Sequence, residues 1–334
     1  MKIHEIKRFR AAKSGVCNGK YLITATGRTV VVYDAQSLNE LVSFKGMTDA
    51  YKIAIRPGHN AFAVKSNNGD LYFYDLDTMQ LTKKLHVYSS HISQDEGCCY
   101  SRDGSAFYNI VYTKDLLSYL VRYDAETLLE TAVWFKKDRY VLYDMQYVEK
   151  AGQYVLQGYE RLDNHNQDFL LWFDESAGTF MRTDLKFNTM RMLWMCYSPE
   201  QEALMSFSPL ECGIVLHEMD GTIRKTLSLR IEDTKTCTLR ESLGEPLAAS
   251  IGAEGDAANT VVVASEEILN TACFTGDGKH IIAAKTNGVW IFEAETMQMK
   301  YHIPISHVTE VITQGNRLYA FTWTGGFAYE VEWQ

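Results

Sequence analysis

Six times along this chain a β-rich run ends in an aromatic residue followed at once by an acid. The runs are Val-Val-Val-Tyr33-Asp34, Leu-Tyr-Phe-Tyr74-Asp75, Leu-Val-Arg-Tyr123-Asp124, Leu-Leu-Trp-Phe173-Asp174, Val-Trp-Ile-Phe292-Glu293 and Gly-Phe-Ala-Tyr329-Glu330. Ile-Val-Leu-His217-Glu218 is a weaker seventh copy. The successive acids stand 41, 49, 50, 44, 75 and 37 residues apart. Four short strands and their turns use up about 40–50 residues, so this period is that of propeller blades.

Turns keep register with the acids. Asp103-Gly104, Asp277-Gly278 and Pro57-Gly58 each lie between two apolar runs, and Pro199-Glu200 is a version without glycine. Glycine accepts the positive φ that hairpin turns need. From Gly19, Gly278 and Gly315 to the next acid the distance is 15 residues each time. A second turn precedes the acid-bearing strand at Thr26-Gly27, Asn68-Gly69, Asn287-Gly288 and Gly325-Gly326. Each unit therefore reads as strands a, b and c, with c closing on the acid, and then a fourth strand d. Strand d is visible in Leu38-x-x-Leu41-x-x-Phe44 and in Met79–Leu85. No stretch sustains a 3.6-residue apolar period, which predicts almost no helix.

The last unit stops short, with four residues after Glu330. Ile3-x-x-Ile6-x-x-Phe9 has the spacing of the first strand d, so the N-terminus is predicted to complete the final blade and cover its edge. The seven marks predict a single propeller domain over 1–334 with seven blades. The long gap between Glu218 and Glu293 is assigned to an insertion or degenerate extra blade at 231–268, with eight blades as the alternative.

These marks resemble those of the WD-repeat and YVTN-type β-propellers over nearly the whole chain. The resemblance implies an all-β fold of four-stranded antiparallel blades. It implies no particular activity, because propellers host many unrelated functions. Trp-Asp is replaced here by Tyr-Asp, Phe-Asp or Phe-Glu, and the Gly-His pair before strand a is missing, so the hydrogen-bond tetrad of strict WD repeats is not carried over.

Lys and Arg number 33 against 42 Asp and Glu, a net charge of −9. Nucleic-acid binding rests on neutralising phosphates, so no nucleic-acid partner is expected. No run of eighteen apolar residues occurs, which excludes a membrane-spanning helix. The first ten residues lack the apolar core of a secretory signal, and seven cysteines without a Cys-x-x-Cys read as reduced thiols. The expected setting is cytoplasmic, with a chain that is monomeric on its own.

Catalytic signatures are missing: there is no Gly-x-x-x-x-Gly-Lys, Gly-x-Gly-x-x-Gly, Gly-x-Ser-x-Gly or His-Glu-x-x-His. No catalytic residue, metal site or cofactor is assigned. Asp163–Asp168 has the oxygen side chains of a calcium loop but neither the central glycine nor the closing glutamate of an EF-hand, and it reads as a long b–c turn. Cys98, Cys99, Cys196 and Cys273 recur at equivalent strand-a positions, as small buried side chains would. The basic cluster Lys2, Lys7, Arg8, Arg10 and Lys13 suits an outermost strand protected by charge.

Tyrosines number 20, and several large side chains fall in the predicted d–a loops. Tyr51, Tyr88, His91, Arg139, Tyr140, Arg191, Trp194 and His307 are the candidate partner-binding residues, because exposed Tyr, Trp and Arg anchor protein interfaces. The first functional reading is a non-enzymatic protein-interaction module. The alternative is an enzyme similar to the lactonase or hydrolase propellers, with a site at the channel mouth. That site would need Asp49, Asp95, Glu96, Asp144 or Glu310 to converge, near His91 or His307.

Overall fold

The computed structural model describes residues 1–10, 12–87, 97–148, 150–185, 195–208, 213–228, 235–238, 261–264, 269–285 and 287–333. Seven four-stranded antiparallel sheets form the blades of a ring, and the described residues contain no helix. Blades 1 to 6 span 14–45, 50–85, 98–134, 140–184, 195–228 and 269–303. Blade 7 takes its first three strands from 308–332 and its outermost strand from Lys2–Phe9. Six of the seven recurring acids lie at or directly after the end of a third strand, as the repeat predicts, and Glu330 lies two residues before the end of its own.

The eight-blade alternative fails. Lys235–Thr238 and Val261–Ala264 pair only with each other, as a two-stranded ladder. The rest of the expected insertion lies outside the described residues.

The core is shared out around the ring. Seven apolar clusters each join one blade to the next, and the last joins blade 7 to blade 1. Between blades 1 and 2, Ile23, Val30 and Val32 meet Phe62 and Val64, all fully buried. Covering one such side chain is worth roughly 1.5–3 kcal/mol, so each blade is held mainly by its two neighbours.

The acids have a local job. Asp34 Oδ1 accepts from the backbone N–H and hydroxyl of Ser37, both at 2.7 Å. Asp75 does the same with Thr78, and Asp124 with Thr127. Backbone hydrogen bonding holds all three carboxyls below the ordinary range. The residue after that Ser or Thr, which is Leu38, Met79, Leu128 or Met297, takes a left-handed conformation with φ of 52–60°. Such a backbone costs an L-residue about 1–2 kcal/mol. Leu38, Leu128 and Met297 are all buried, which offsets that strain. A five-residue turn signature, acid-x-x-Ser/Thr-Leu/Met, thus stands behind the simpler aromatic–acid pair.

Three residues after that left-handed position the outer strand bulges in blades 1, 2, 3 and 6, and blades 5 and 7 bulge as well. Leu41, Thr82, Thr131, Arg224, Lys300 and Ile6 are the extra residues in blades 1, 2, 3, 5, 6 and 7. This corrects the expected burial of the N-terminal strand. Phe9 is buried and Ile3 half-buried, but Ile6 is 40% exposed, as Leu41 is at 46%. A bulge uses one residue without a ladder partner, so apolar residues three apart need not share a face.

Glycine matters most in the a–b turns. Gly104 has φ of 71°, and a Cβ there would lie 2.5 Å from the carbonyl oxygen of Pro57 in the preceding blade. Asp103 accepts from Ser105 N–H and from the hydroxyls of Ser101 and Ser105, which depress its pKa to about 2.

Candidate functional site

The innermost strands of four blades carry a bulge just before one residue at a common level. These residues are Lys52, Asp144, Thr271 and Glu310, each paired with the strand-b residue four beyond the one opposite the acid. A bulge re-aims the side chain next to it. Here the re-aimed groups include one ammonium and two carboxylates around the channel.

Lys52 Nζ donates to Asp144 Oδ2 at 3.0 Å. Blade 3 lies between them in the ring, so this ion pair bridges across a whole blade. Gly97 makes it possible: a Cβ there would fall 2.1 Å from Asp144 Oδ1. The Gly97 N–H donates to Tyr143 O at 2.6 Å, which ties blade 3 to blade 4 at this level. Asp144 Oδ1 also accepts from the N–H of Met145. On the far side, Glu310 Oε2 accepts from Gly15 N–H at 3.0 Å. Burial pushes the Glu310 carboxyl up to about 7, with the charge of Lys52 pulling the other way. Burial works against the charge of Lys52 too, yet Asp144 and Glu310 outweigh it and hold its pKa above the usual lysine range.

In front of blade 3 the channel wall opens into a recess of about 400 Å³. Lys52 and Asp144 stand at its d–a end, Cys98 and Cys99 form its back, and Tyr147 and Tyr154 close its other end. The small residues Gly97, Cys98 and Cys99 make the room. The carbonyl oxygen of the Gln146 side chain is buried there with no protein partner. Burial pushes the Cys98 thiol up to about 11, so it stays protonated at neutral pH. Among the described residues no cluster of three His, Cys, Asp or Glu is placed to hold a metal.

A second pocket, of about 690 Å³, opens on the opposite face between blades 3 and 4. Its polar groups largely satisfy one another. Arg102 Nη1 donates to Tyr147 Oη at 3.3 Å, Arg102 N–H to Tyr154 Oη at 2.6 Å, and Tyr108 Oη to Glu175. Ser206 and His217 also form a close pair, but both are buried, and burial lowers the His217 pKa to about 4. That pair has no access to substrate and serves packing.

The partner-binding candidates fare unevenly. Tyr88, His91, Arg191 and Trp194 lie outside the described residues. Tyr51 falls within the inner strand Ala50–Ile55 of blade 2 and not in a loop. Arg139 is exposed and pairs with Asp163 at 2.8 Å across the d–a face. Tyr140 also begins a strand, Tyr140–Val148, instead of lying in a loop. Its ring sits 5.4 Å from that of Phe135 and 4.7 Å from that of Phe169, and its hydroxyl accepts from Arg182. His307 is exposed, with φ of 58°, one residue before the inner strand of blade 7.

Of the five acids considered for a channel site, Asp144 and Glu310 gather around Lys52. Asp49 instead accepts from the side chain of Asn67, while Asp95 and Glu96 lie outside the described residues. The sequence reading missed Lys52, for which a lysine inside an inner strand was the available signal. It also missed Trp323, which is 57% exposed in the b–c turn of blade 7 with Lys13 Nζ 4.0 Å from its ring. A tryptophan just before a Thr-Gly-Gly turn has no strand neighbour to pack on. The expected long loop at Asp163–Asp168 is shorter than predicted: strands continue to Arg161 and resume at Asn166.

This architecture defines the chain as a seven-bladed β-propeller, and no described helix is long and apolar enough to cross a membrane. No family model matches the chain, and no curated protein matches it. Of the resemblance to WD-repeat and YVTN-type propellers read from the sequence, the structure bears out the seven-bladed fold.

Proposed function

We propose that this propeller is a non-enzymatic interaction module, a scaffold that docks a protein partner on the face built from d–a and b–c loops. The observation that carries the reading is Trp323, an indole 57% exposed in the b–c turn of blade 7. A tryptophan in water is costly unless something covers it, and Trp and Arg are the usual anchors of interfaces. Arg139 and His307 lie on the same face, and Tyr51, Tyr88, His91, Arg191 and Trp194 remain candidates there. Tyr140 supports this surface from below by packing. A cytoplasmic setting suits Cys17, Cys98, Cys99, Cys196 and Cys273, all free thiols.

Cross-linking of the natively purified protein to its bound partner tests this. Lys13, Lys114, Lys136 and Lys137 lie on the proposed face, whereas Lys20, Lys150 and Lys279 lie on the other. Partner cross-links should fall on the first set. Cross-links confined to the second set, or purification with no partner, would overturn the reading.

One observation favours a second reading, a channel-mouth enzyme of the lactonase or hydrolase type: Lys52, Asp144 and Glu310 converge beside an open recess. On that reading, Asp144→Asn would abolish hydrolysis of a lactone or aryl-ester substrate. Absence of turnover by the unaltered protein across such a panel would remove it.

A further inference from the structure

The outer strand of blade 4, Thr179–Asp184, differs from every other outer strand. It pairs residue for residue with Phe169–Asp174 and has no bulge, whereas the other six blades each have one. Bulges and lysines are the usual protection of an exposed sheet edge. Blade 2 has Lys83 and Lys84 on its outer strand, blade 5 has Lys225 and blade 6 has Lys300. In blade 4 the lone cation, Arg182, is folded inward. Its guanidinium lies 4.7 Å from the Phe169 ring and bonds to Glu160 and Asp184. Met181 stands 63% exposed beside it.

The phase of this edge is set by the bond from Leu185 N–H to Asp168 O, 2.8 Å long. Inward bonds alternate along an antiparallel strand, so they belong to residues 179, 181, 183 and 185. The N–H and C=O groups of Phe180, Arg182 and Asp184 therefore point away from the blade. Among the described residues, no strand pairs with them.

We propose that a second copy of this chain pairs with this edge, antiparallel about a twofold axis at Thr183. Outward-bonding residues must face one another, which leaves three nearby registers. Centring on Arg182 sets Arg182 against itself, a like-charge contact that destabilises a sheet. Centring on Met181 sets Arg182 against Phe180 and leaves Asp184 against Gly178. Centring on Thr183 sets Arg182 against Asp184 of the other copy, and the twofold repeats that pair. Each such pair exchanges both of its N–H···O=C bonds. The contact is isologous, so it closes as a dimer and does not run on as a fibre. It replaces the expectation of a monomer and is independent of the docking face proposed above.

Sedimentation velocity on the full chain tests the inference. The unaltered protein should shift from monomer to dimer as its concentration rises. Asp184→Arg should stay monomeric over the same range. Its melting temperature should hold, because the Asp184 side chain is 59% exposed. Thr183→Cys gives a second readout. The axis would bring the two copies of residue 183 into a non-hydrogen-bonded pair, with Cα atoms about 4.5 Å apart. Oxidised glutathione should then link that variant into a covalent dimer, and should not link Thr131→Cys on the bulged outer strand of blade 3. A wild type that stays monomeric throughout, a dimer unaffected by Asp184→Arg, or a Thr183→Cys chain that fails to cross-link would each overturn the proposal. Uptake of a synthetic extended peptide by a chain that never dimerises would assign the edge to a different partner and would overturn it too.

Discussion

The two faces of this ring use polar side chains in opposite ways. On the face of a–b and c–d turns, the six c–d turns that link consecutive strands are four or five residues long. There Asp34, Asp75, Asp124, Asp174 and Glu293 are each engaged by their own turn, as Asp34 is by Ser37 and Asp124 by Thr127. On the other face the d–a connections run from four residues, at 46–49, to twelve, at 86–97, and to forty at 229–268. Arg139 there reaches another loop, and the exposed ring of Trp323 lies against Lys13. Uniform turns spend their chemistry on holding the blade, whereas irregular loops on a rigid frame are free to recognise something.

The sharpest way to break this contrast is to remove the element on which both faces depend. Deleting residues 1–9 strips blade 7 of its outer strand and bares the edge of Gly326–Glu332. Phe9 alone is worth roughly 1.5–3 kcal/mol when buried. The truncated chain should lose cooperative melting and aggregate, as circular dichroism and light scattering would report. A truncated chain that melts like the intact one would mean that the ring closes without its seventh outer strand.

Next in size is Glu310, whose carboxyl lies inside the ring. Its folded pKa of about 7 stands above the unfolded value of 4.5. The folded state therefore holds a proton that the unfolded state has released, and stability falls as pH rises from about 4.5 to 7. The full effect approaches about 3 kcal/mol, at 1.36 kcal/mol per pKa unit. Glu310→Gln keeps an acceptor for Gly15 and cannot ionise. It should be the more stable form at pH 8, and its advantage should fade towards pH 5 in denaturant titrations.

Two neighbouring residues sharpen the account of the regular face. Gly104→Ala forces a side chain into a left-handed backbone and against Pro57, so it should destabilise by about 1–3 kcal/mol. Asp103→Ala removes an exposed carboxylate whose bonds compete with water, so its cost should stay under about 1 kcal/mol. That cost exists above the ordinary aspartate pKa. It should disappear as pH falls towards the folded value of about 2.

The smallest effect on stability belongs to the irregular face. Trp323→Ala together with Arg139→Ala should change stability by no more than about 0.5 kcal/mol each, as surface substitutions do. The same pair should weaken binding of the copurified partner by more than tenfold if it is a hot spot of about 2 kcal/mol. A loss of fold in this variant would show that the indole is structural.

What the sequence by itself determined here is everything that repeats. Strand order within a blade, the position of each acid and the closing N-terminal strand are all written within one period of about 40–50 residues, whereas the choice of seven blades over eight fell to the structure. Local turn chemistry and hydrophobic alternation suffice to set them. Tertiary structure alone decided what happens between units that are not neighbours in the repeat. The i, i+3, i+6 spacing in Ile3, Ile6 and Phe9 looks like one apolar face until a bulge turns Ile6 outward. Tyr140, read as a docking side chain, is held by Phe135, Phe169 and Arg182. Lys52 meets Asp144, 92 residues away, because the intervening blade offers a glycine at that level. No local pattern encodes such a meeting, since it depends on where separate inner strands stand around the channel once the ring has closed.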